Sequence, residues 1–373
     1  MTAGSRVTNH MQTPSMNGPN KIGESLIESV AGMFSAEETL RRIPHGLEWG
    51  RAGGRQRLWW DDPVEAASDR PALVRIHIVT EFIGLPSEPG DWPKQLRDDL
   101  LMISGASLWG GLMFKEEMEG SLCLGCAVSA HEGNVGYLPL VLFRAMAAQA
   151  AVREALFASE IAPGLSEFPG SETAGDMQEL AESIQLMLSS ADSERPVGVD
   201  ADMAFLTEQF QEFPCLMCNG DEAGLSAEFP FGKETSLLRI DTAAEHPIFG
   251  PAISLVLLLP LDGEESALSM KAVLEMNRKE QPDHDMPWTF GSWTLDQQMT
   301  PRLGYRIWIP YALFQQNLLV NLGIGMATRA RHCCERIAGL SFDDAYPLAQ
   351  EQMMSRLEHL LGMLGDGNNQ EQS

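Results

Sequence analysis

Hydrophobic positions along this chain change their period several times, and the order of those changes occurs twice. Leu26, Ile27, Val30, Met33 and Phe34 recur at helical spacing, with Glu24 and Glu28 near the end where a helix dipole favours acid. After Pro44 the pattern shortens to LEWGR and RQRLWW around Gly53-Gly54, which predicts a hairpin, and Pro71 opens a further strand, PALVRIHIVT. Leu96, Leu100, Leu101 and Ile103 predict a helix, and residues 107–129 predict two strands turning at Glu119-Gly120. Leu138, Val141, Leu142, Ala145 and Met146 then begin a helix that runs to about Leu156.

The second half repeats this order. Met203, Leu206, Phe210 and Phe213 mark a short helix, Cys215 to Cys218 a strand, and Asn219-Gly220 a turn. Strands are predicted over 225–231, 236–240 and 253–259, a helix over 267–277, strands over 288–298 and 303–311, and a helix over 313–337. At an offset of 180 positions PAISLVLLLP (251–260) falls on PALVRIHIVT (71–80), Asp241 on Asp61, Gly291 on Gly111, and Leu318, Leu322, Met326, Ala327 and Ala330 on Leu138, Leu142, Met146, Ala147 and Ala150. Small slips, where Gly54 meets Gly232 and Leu124-Gly125 meets Leu303-Gly304, fall at expected turns, where insertions are tolerated.

The fold class expected is therefore α+β: two similar domains, each helix, three strands, helix, two strands, helix around an antiparallel sheet. Residues 1–20 read as a disordered tail, 21–160 as the first repeat, 161–202 as a linker and 203–340 as the second repeat. Residues 341–364 read as a further helix with Pro347 in its first turn, and 365–373 as a second disordered tail. Over 157–202 there are ten acidic residues and a single basic one, Arg195, with Met177, Leu180, Ala181, Ile184, Met187 and Leu188 on one face of an amphipathic helix.

Composition narrows the function classes. Of 373 residues, 52 are acidic and 26 basic, a formal charge of −26 that repels phosphate backbones and excludes nucleic acid as an expected partner. A basic protein or peptide suits that charge better. No stretch approaches 18 consecutive apolar residues and the first twenty lack the apolar core of a signal peptide, so no membrane partner and a cytoplasmic location are expected. Six cysteines in so long a chain are no disulfide framework.

No catalytic residue, metal site or cofactor is expected, and the reading is not an enzyme. Cys123-Leu-Gly-Cys126 and Cys215-Leu-Met-Cys218 lie far apart in apolar, strand-like runs, where residues three apart point to opposite faces; a zinc ribbon needs each pair on a tight turn. The eight histidines show no ligand spacing, and Asp283-His284-Asp285 sits among prolines as a loop would. Gly232-Lys233 lacks the hydroxyl residue and the glycine spacing of a phosphate loop. Twenty methionines suit ordinary cores as well as adaptable apolar surfaces.

The acidic unit of helix, three strands, helix, two strands, helix over about 25–156 and 203–337 resembles the type III secretion chaperones and the YbjN-like proteins. That resemblance implies a non-enzymatic, chaperone-like protein that holds a client or partner segment without nucleotide, with the duplication forming a pseudo-dimer within one chain, or a homodimer. Two other classes stay open: an enzyme with a site built from scattered residues, and an acidic inhibitor or immunity-type protein that binds a basic partner.

Four residues are candidates for partner binding. Adjacent Trp59 and Trp60 must point to opposite sides of a regular strand, so one ring faces away from its own helices. In the first matched strand Arg75 and His77 make one face polar, and that face is expected to meet water. The 180-residue offset puts Leu255 and Leu257 at those positions, so both faces of the second strand are apolar. The Leu255/Leu257 face is expected to be covered by the other repeat, the linker helix, a second copy or a client segment; cover by the C-terminal helix is the structural alternative.

Overall fold

A computed structural model describes residues 19–34, 40–49, 55–61, 72–83, 92, 94–115, 121–158, 194–213, 215–221, 223–260, 270–281, 286, 288–296 and 302–370. The amphipathic helix expected over 177–188, the two tails' residues 1–18 and 371–373, and the Asp283-His284-Asp285 loop lie outside the described residues.

The first unit comprises α1 (Pro19–Ala31), β1 (Arg41–Ile43), β2 (Gly46–Trp49), β3 (Gln56–Trp60), β4 (Val74–Ile83), α2 (Lys94–Gly105), β5 (Gly111–Phe114), β6 (Leu122–Ala130) and α3 (Leu138–Ala158). The second comprises α4 (Val199–Glu212), β7 (Met217–Gly220), β8 (Gly224–Phe231), β9 (Glu234–His246), β10 (Gly250–Leu258), α5 (Met270–Glu280), β11 (Ser292–Asp296), β12 (Arg302–Pro310) and α6 (Leu318–Cys333), followed by α7 (Phe342–Gln370). Each unit forms one antiparallel six-stranded sheet, in the orders β1-β2-β3-β4-β6-β5 and β7-β8-β9-β10-β12-β11. The two orders are the same, strand for strand. The protein is α+β, with two similar units.

Each unit has four strands before its middle helix: the second unit's four lie where strands were expected, and the first adds one to the expected three. The added strand is β1, joined to β2 by a turn at Pro44-His45 in which His45 takes φ 57°. Two arginines and one isoleucine carry no alternation, and a histidine at positive φ replaces the Asn-Gly that announces such turns. Asn219-Gly220, expected as a turn, instead ends β7, and the chain reverses beyond it, where Asp221 Oδ1 accepts the Ala223 and Gly224 amides.

Inner faces of both sheets lie under their own helices in one continuous core. Val74, Ile76, Ile78 and Phe82 of β4 face α1 and α3 with Leu26, Val30, Leu142 and Met146. Gly23 is required in α1 because a Cβ there would lie 2.6 Å from the Trp60 indole. In the second unit Leu255 and Leu257 belong to the core with Leu206, Phe210 and Phe229, beneath α4 and α6.

Register explains why the sequence offset misplaced these two leucines. Asp61 donates its amide to the Arg75 carbonyl, whereas Asp241 lies opposite Ser254; Gly125 pairs with Val79, and Gly304 with Leu258. The counterpart of Arg75 is thus Ser254, and Leu255 and Leu257 correspond to Ile76 and Ile78. A slip of one residue exchanges the two faces of a strand.

Candidate functional site

The two units meet reciprocally at the edges of their sheets. Helix α5 packs on β5 of the first sheet and α2 on β11 of the second, and the two edge strands also touch. Asn277 Nδ2 donates to the Leu112 carbonyl, while Ser104 Oγ donates to the Trp293 carbonyl. Trp109 and Phe290, from the two loops that follow these helices, meet with ring centroids 5.9 Å apart. A carbonyl at the end of each middle helix is held by the opposite unit: Gln281 by Arg75 Nε at 2.9 Å, and Ala106 by His246 Nε2 at 3.0 Å.

On the first sheet's outer face this seam is filled by the chain's own backbone. Arg75 is fully buried and donates to the carbonyls of Glu280, Gln281 and Met286 and to Ser129 Oγ. Gln281 Nε2 reaches the Gly125 carbonyl, and Thr289 and Ala127 exchange backbone and side-chain bonds where β6 runs past the end of β5. From below, Arg329 of α6, also fully buried, pairs with Glu280, donates to the Trp288 carbonyl and lies 3.5 Å over the Tyr305 ring. The expectation that Arg75 and His77 face water is overturned: they are 0% and 2% exposed, because the second unit covers one and Trp59 the other.

Trp59 and Trp60 do point to opposite sides. Trp60 is buried against α1, and Trp59 is half-buried on the outer face, beside Val79 and Cys123. The Trp59 ring stacks on His77 at 5.1 Å and 15°, with the Lys115 ammonium 5.6 Å from its centroid. His77 Nε2 meets Asp61 Oδ2 at 2.5 Å, and its buried Nδ1 has no hydrogen-bond partner. Burial holds His77 below the ordinary imidazole value despite Asp61, so the neutral ring donates from Nε2. For Asp61, the bond to His77 and the nearby Lys115 outweigh burial and lower its value. The His77 ring is 2% exposed, whereas the Asp61 side chain is 43% exposed and faces solvent.

Leu255 and Leu257 are both 0% exposed within the chain, so no part of a partner reaches them in this fold. Nor is it α7 that covers them: that helix lies against β8 and β9, and α6 is what crosses β10. Cys123 and Cys126 sit on opposite faces of β6, one beside Val79 and the other in the main core, where burial pushes the Cys126 thiol up to about 12. Among the described residues no group of His, Cys, Asp or Glu is placed to hold a metal ion, and no helix is long and apolar enough to cross a membrane.

On the second sheet the corresponding outer-face region is open. A cleft of about 790 Å³ runs between α2 and the outer face of β11 and β12, lined by Lys94, Asp98, Met102 and Gly105 on the helix and by Thr294 and Arg306 on the strands. Met102 is 38% exposed there. Sequence reasoning missed this cleft because its walls come from both units, and no motif in either one announces a seam between them. The unlike lengths of the two loops after α2 and α5 were the available signal. No family model matches the chain, and neither the curated proteins nor the solved structures contain a match.

Proposed function

We propose that the protein is a non-enzymatic, chaperone-like binding module that holds a segment of another protein without nucleotide, its two units acting as a pseudo-dimer within one chain. The observation that carries this reading is that the first sheet holds another part of the same chain through main-chain groups: Arg75 donates to the carbonyls of Glu280, Gln281 and Met286, and the Ala127 carbonyl accepts the Thr289 amide. Recognition through main-chain groups suits a protein that must accept segments of varied sequence. The order of elements that resembles type III secretion chaperones and YbjN-like proteins supports the same reading, and fold likeness by itself carries no activity.

The charge of −26 favours client segments that are themselves neutral or basic over most of their length. A displayed library of random linear peptides, selected against the intact chain with no nucleotide present, tests the proposal. Enrichment of peptides that then bind in solution with micromolar affinity supports it. Failure to enrich any sequence over an immobilised control protein of similar charge refutes it.

A further inference from the structure

Four of the six cysteines are buried, Cys123, Cys126, Cys333 and Cys334, whereas Cys215 and Cys218 are half-buried where the chain enters the edge strand β7. A regular strand would put residues three apart on opposite faces, which is how Cys123 and Cys126 sit in β6. The entry to β7 is irregular. The Leu216 amide donates to the Glu228 carbonyl, yet Glu228 is also the residue that Met217 faces, so two residues of this strand oppose one of β8. Such a bulge adds a residue and breaks the alternation. Cys218 lies opposite Ala227, which is in the core, and Cys215 packs on the same core, its Sγ donating to the Phe210 carbonyl of α4 at 2.9 Å. Burial, and after it the neighbouring Cys218 thiol, raise the Cys215 value, and burial raises that of Cys218. The two thiols thus lie within each other's electrostatic reach, on one side of the sheet.

We infer that Cys215 and Cys218 close into a reversible disulfide within the chain, by exchange with a small disulfide such as oxidised glutathione. This goes beyond the binding-module reading and does not depend on it. Cys218 is the residue that attacks first, because the Cys215 proton is engaged by the Phe210 carbonyl. Its thiolate displaces one glutathione as a thiolate, which takes up a proton, and leaves a mixed disulfide on Cys218. Cys215 gives its proton to solvent and attacks the Cys218 sulfur, and the second glutathione departs as a thiol. Two protein thiols are oxidised and one glutathione disulfide is reduced. Closure requires the two Cα atoms to lie within about 7 Å, against about 10 Å for three fully extended residues. The bulge and the bend of the chain at Leu216 shorten that span, and an edge strand, paired on one side alone, can move to complete it.

The probe is glutathione disulfide, incubated at pH 8 with the intact reduced chain, which is then unfolded, alkylated and mapped by mass spectrometry. The expected result is a peptide in which Cys215 and Cys218 both escape alkylation and the mass falls by that of two hydrogens, with full reversal by dithiothreitol. The four buried cysteines remain alkylatable and serve as internal controls. In Cys215→Ser, with circular dichroism confirming the fold, glutathione should accumulate on Cys218, because the thiol that expels it is gone; in Cys218→Ser, uptake of glutathione should slow by about tenfold or more. Full alkylation of both residues, under conditions that oxidise an unstructured Cys-x-x-Cys peptide, overturns the inference. So does glutathione that persists on Cys218 in the parent chain, since the thiols then fail to meet. A disulfide that links two copies of the chain, or one that joins either residue to Cys333 or Cys334, overturns it as well.

Discussion

Arg75→Ala should weaken the seam between the units more than any other single truncation on the outer face of the first sheet. The side chain is fully buried and donates to three backbone carbonyls of the other unit and to Ser129. An acceptor left buried without its partner costs about 1–3 kcal/mol, and the 3.4 Å contact to Glu280 counts for least. Water entering the vacated space recovers part of this, so a net loss of about 3–5 kcal/mol is expected. Urea unfolding followed by tryptophan fluorescence reads it directly, because Trp288 sits on the seam, bridged to Val128. A second transition should appear if the units now separate before they unfold. Arg42→Ala is the control: its ion pair with Glu28 is at the surface, with the two side chains 53% and 68% exposed, and its loss should cost about 1 kcal/mol or less. Equal costs for the two variants would refute the assignment of Arg75 as the seam's main clamp.

Acid should loosen the same seam through His246, whose Nδ1 accepts the Ile248 and Phe249 amides while Nε2 donates to Ala106, so the ring must be neutral. Burial, against the bond to Ala106, sets its value at about 4. The unfolded ring binds its proton near 6.5, so this stabilisation is complete above about 6.5 and is lost as pH falls through about 4, by at most about 3 kcal/mol. Urea midpoints measured from pH 7 to 4 should fall less steeply in His246→Gln than in the parent, and parallel slopes would exclude His246 as the cause. Gly325→Ala should destabilise by about 1–3 kcal/mol although alanine favours helices, because its Cβ would lie 2.0 Å from the Trp288 ring; a raised melting temperature would contradict that packing. Trp60→Ala should cost about 3–5 kcal/mol and Trp59→Ala clearly less, by the same urea assay, since only Trp60 is in the core. Chelator should leave the melting temperature unchanged, because Cys123 and Cys126 occupy opposite faces; stoichiometric zinc in the purified protein would refute this.

Much of this architecture was legible because its helices and strands are strongly periodic. Val74, Ile76 and Ile78 announce a half-buried strand, and the offset that joins Leu138 to Leu318 announces two units of one design. Exact register was not legible: matching Pro71 to Pro251 sets the strands one residue out of step, which moved Leu255 and Leu257 from core to candidate surface. Arg75 and His77 misled for a related reason. Charge on an outer face usually means water, whereas Arg75 meets backbone carbonyls brought by the other unit and His77 lies under Trp59 beside Asp61. The cleft beside α2 was out of reach of any local pattern, since Met102 and Arg306 come together only when the units do.

Joining the two units in one chain alters their association from an equilibrium into a fixed property. Two separate subunits meeting through this seam would part on dilution and would show two equal grooves, since identical chains must carry identical loops. Here the connections 106–110 and 281–291 differ, so one groove is filled and the other is not. Melting temperature should accordingly be independent of protein concentration. A ligand of the open groove should saturate at one per chain, with no cooperativity between sites to sharpen its response.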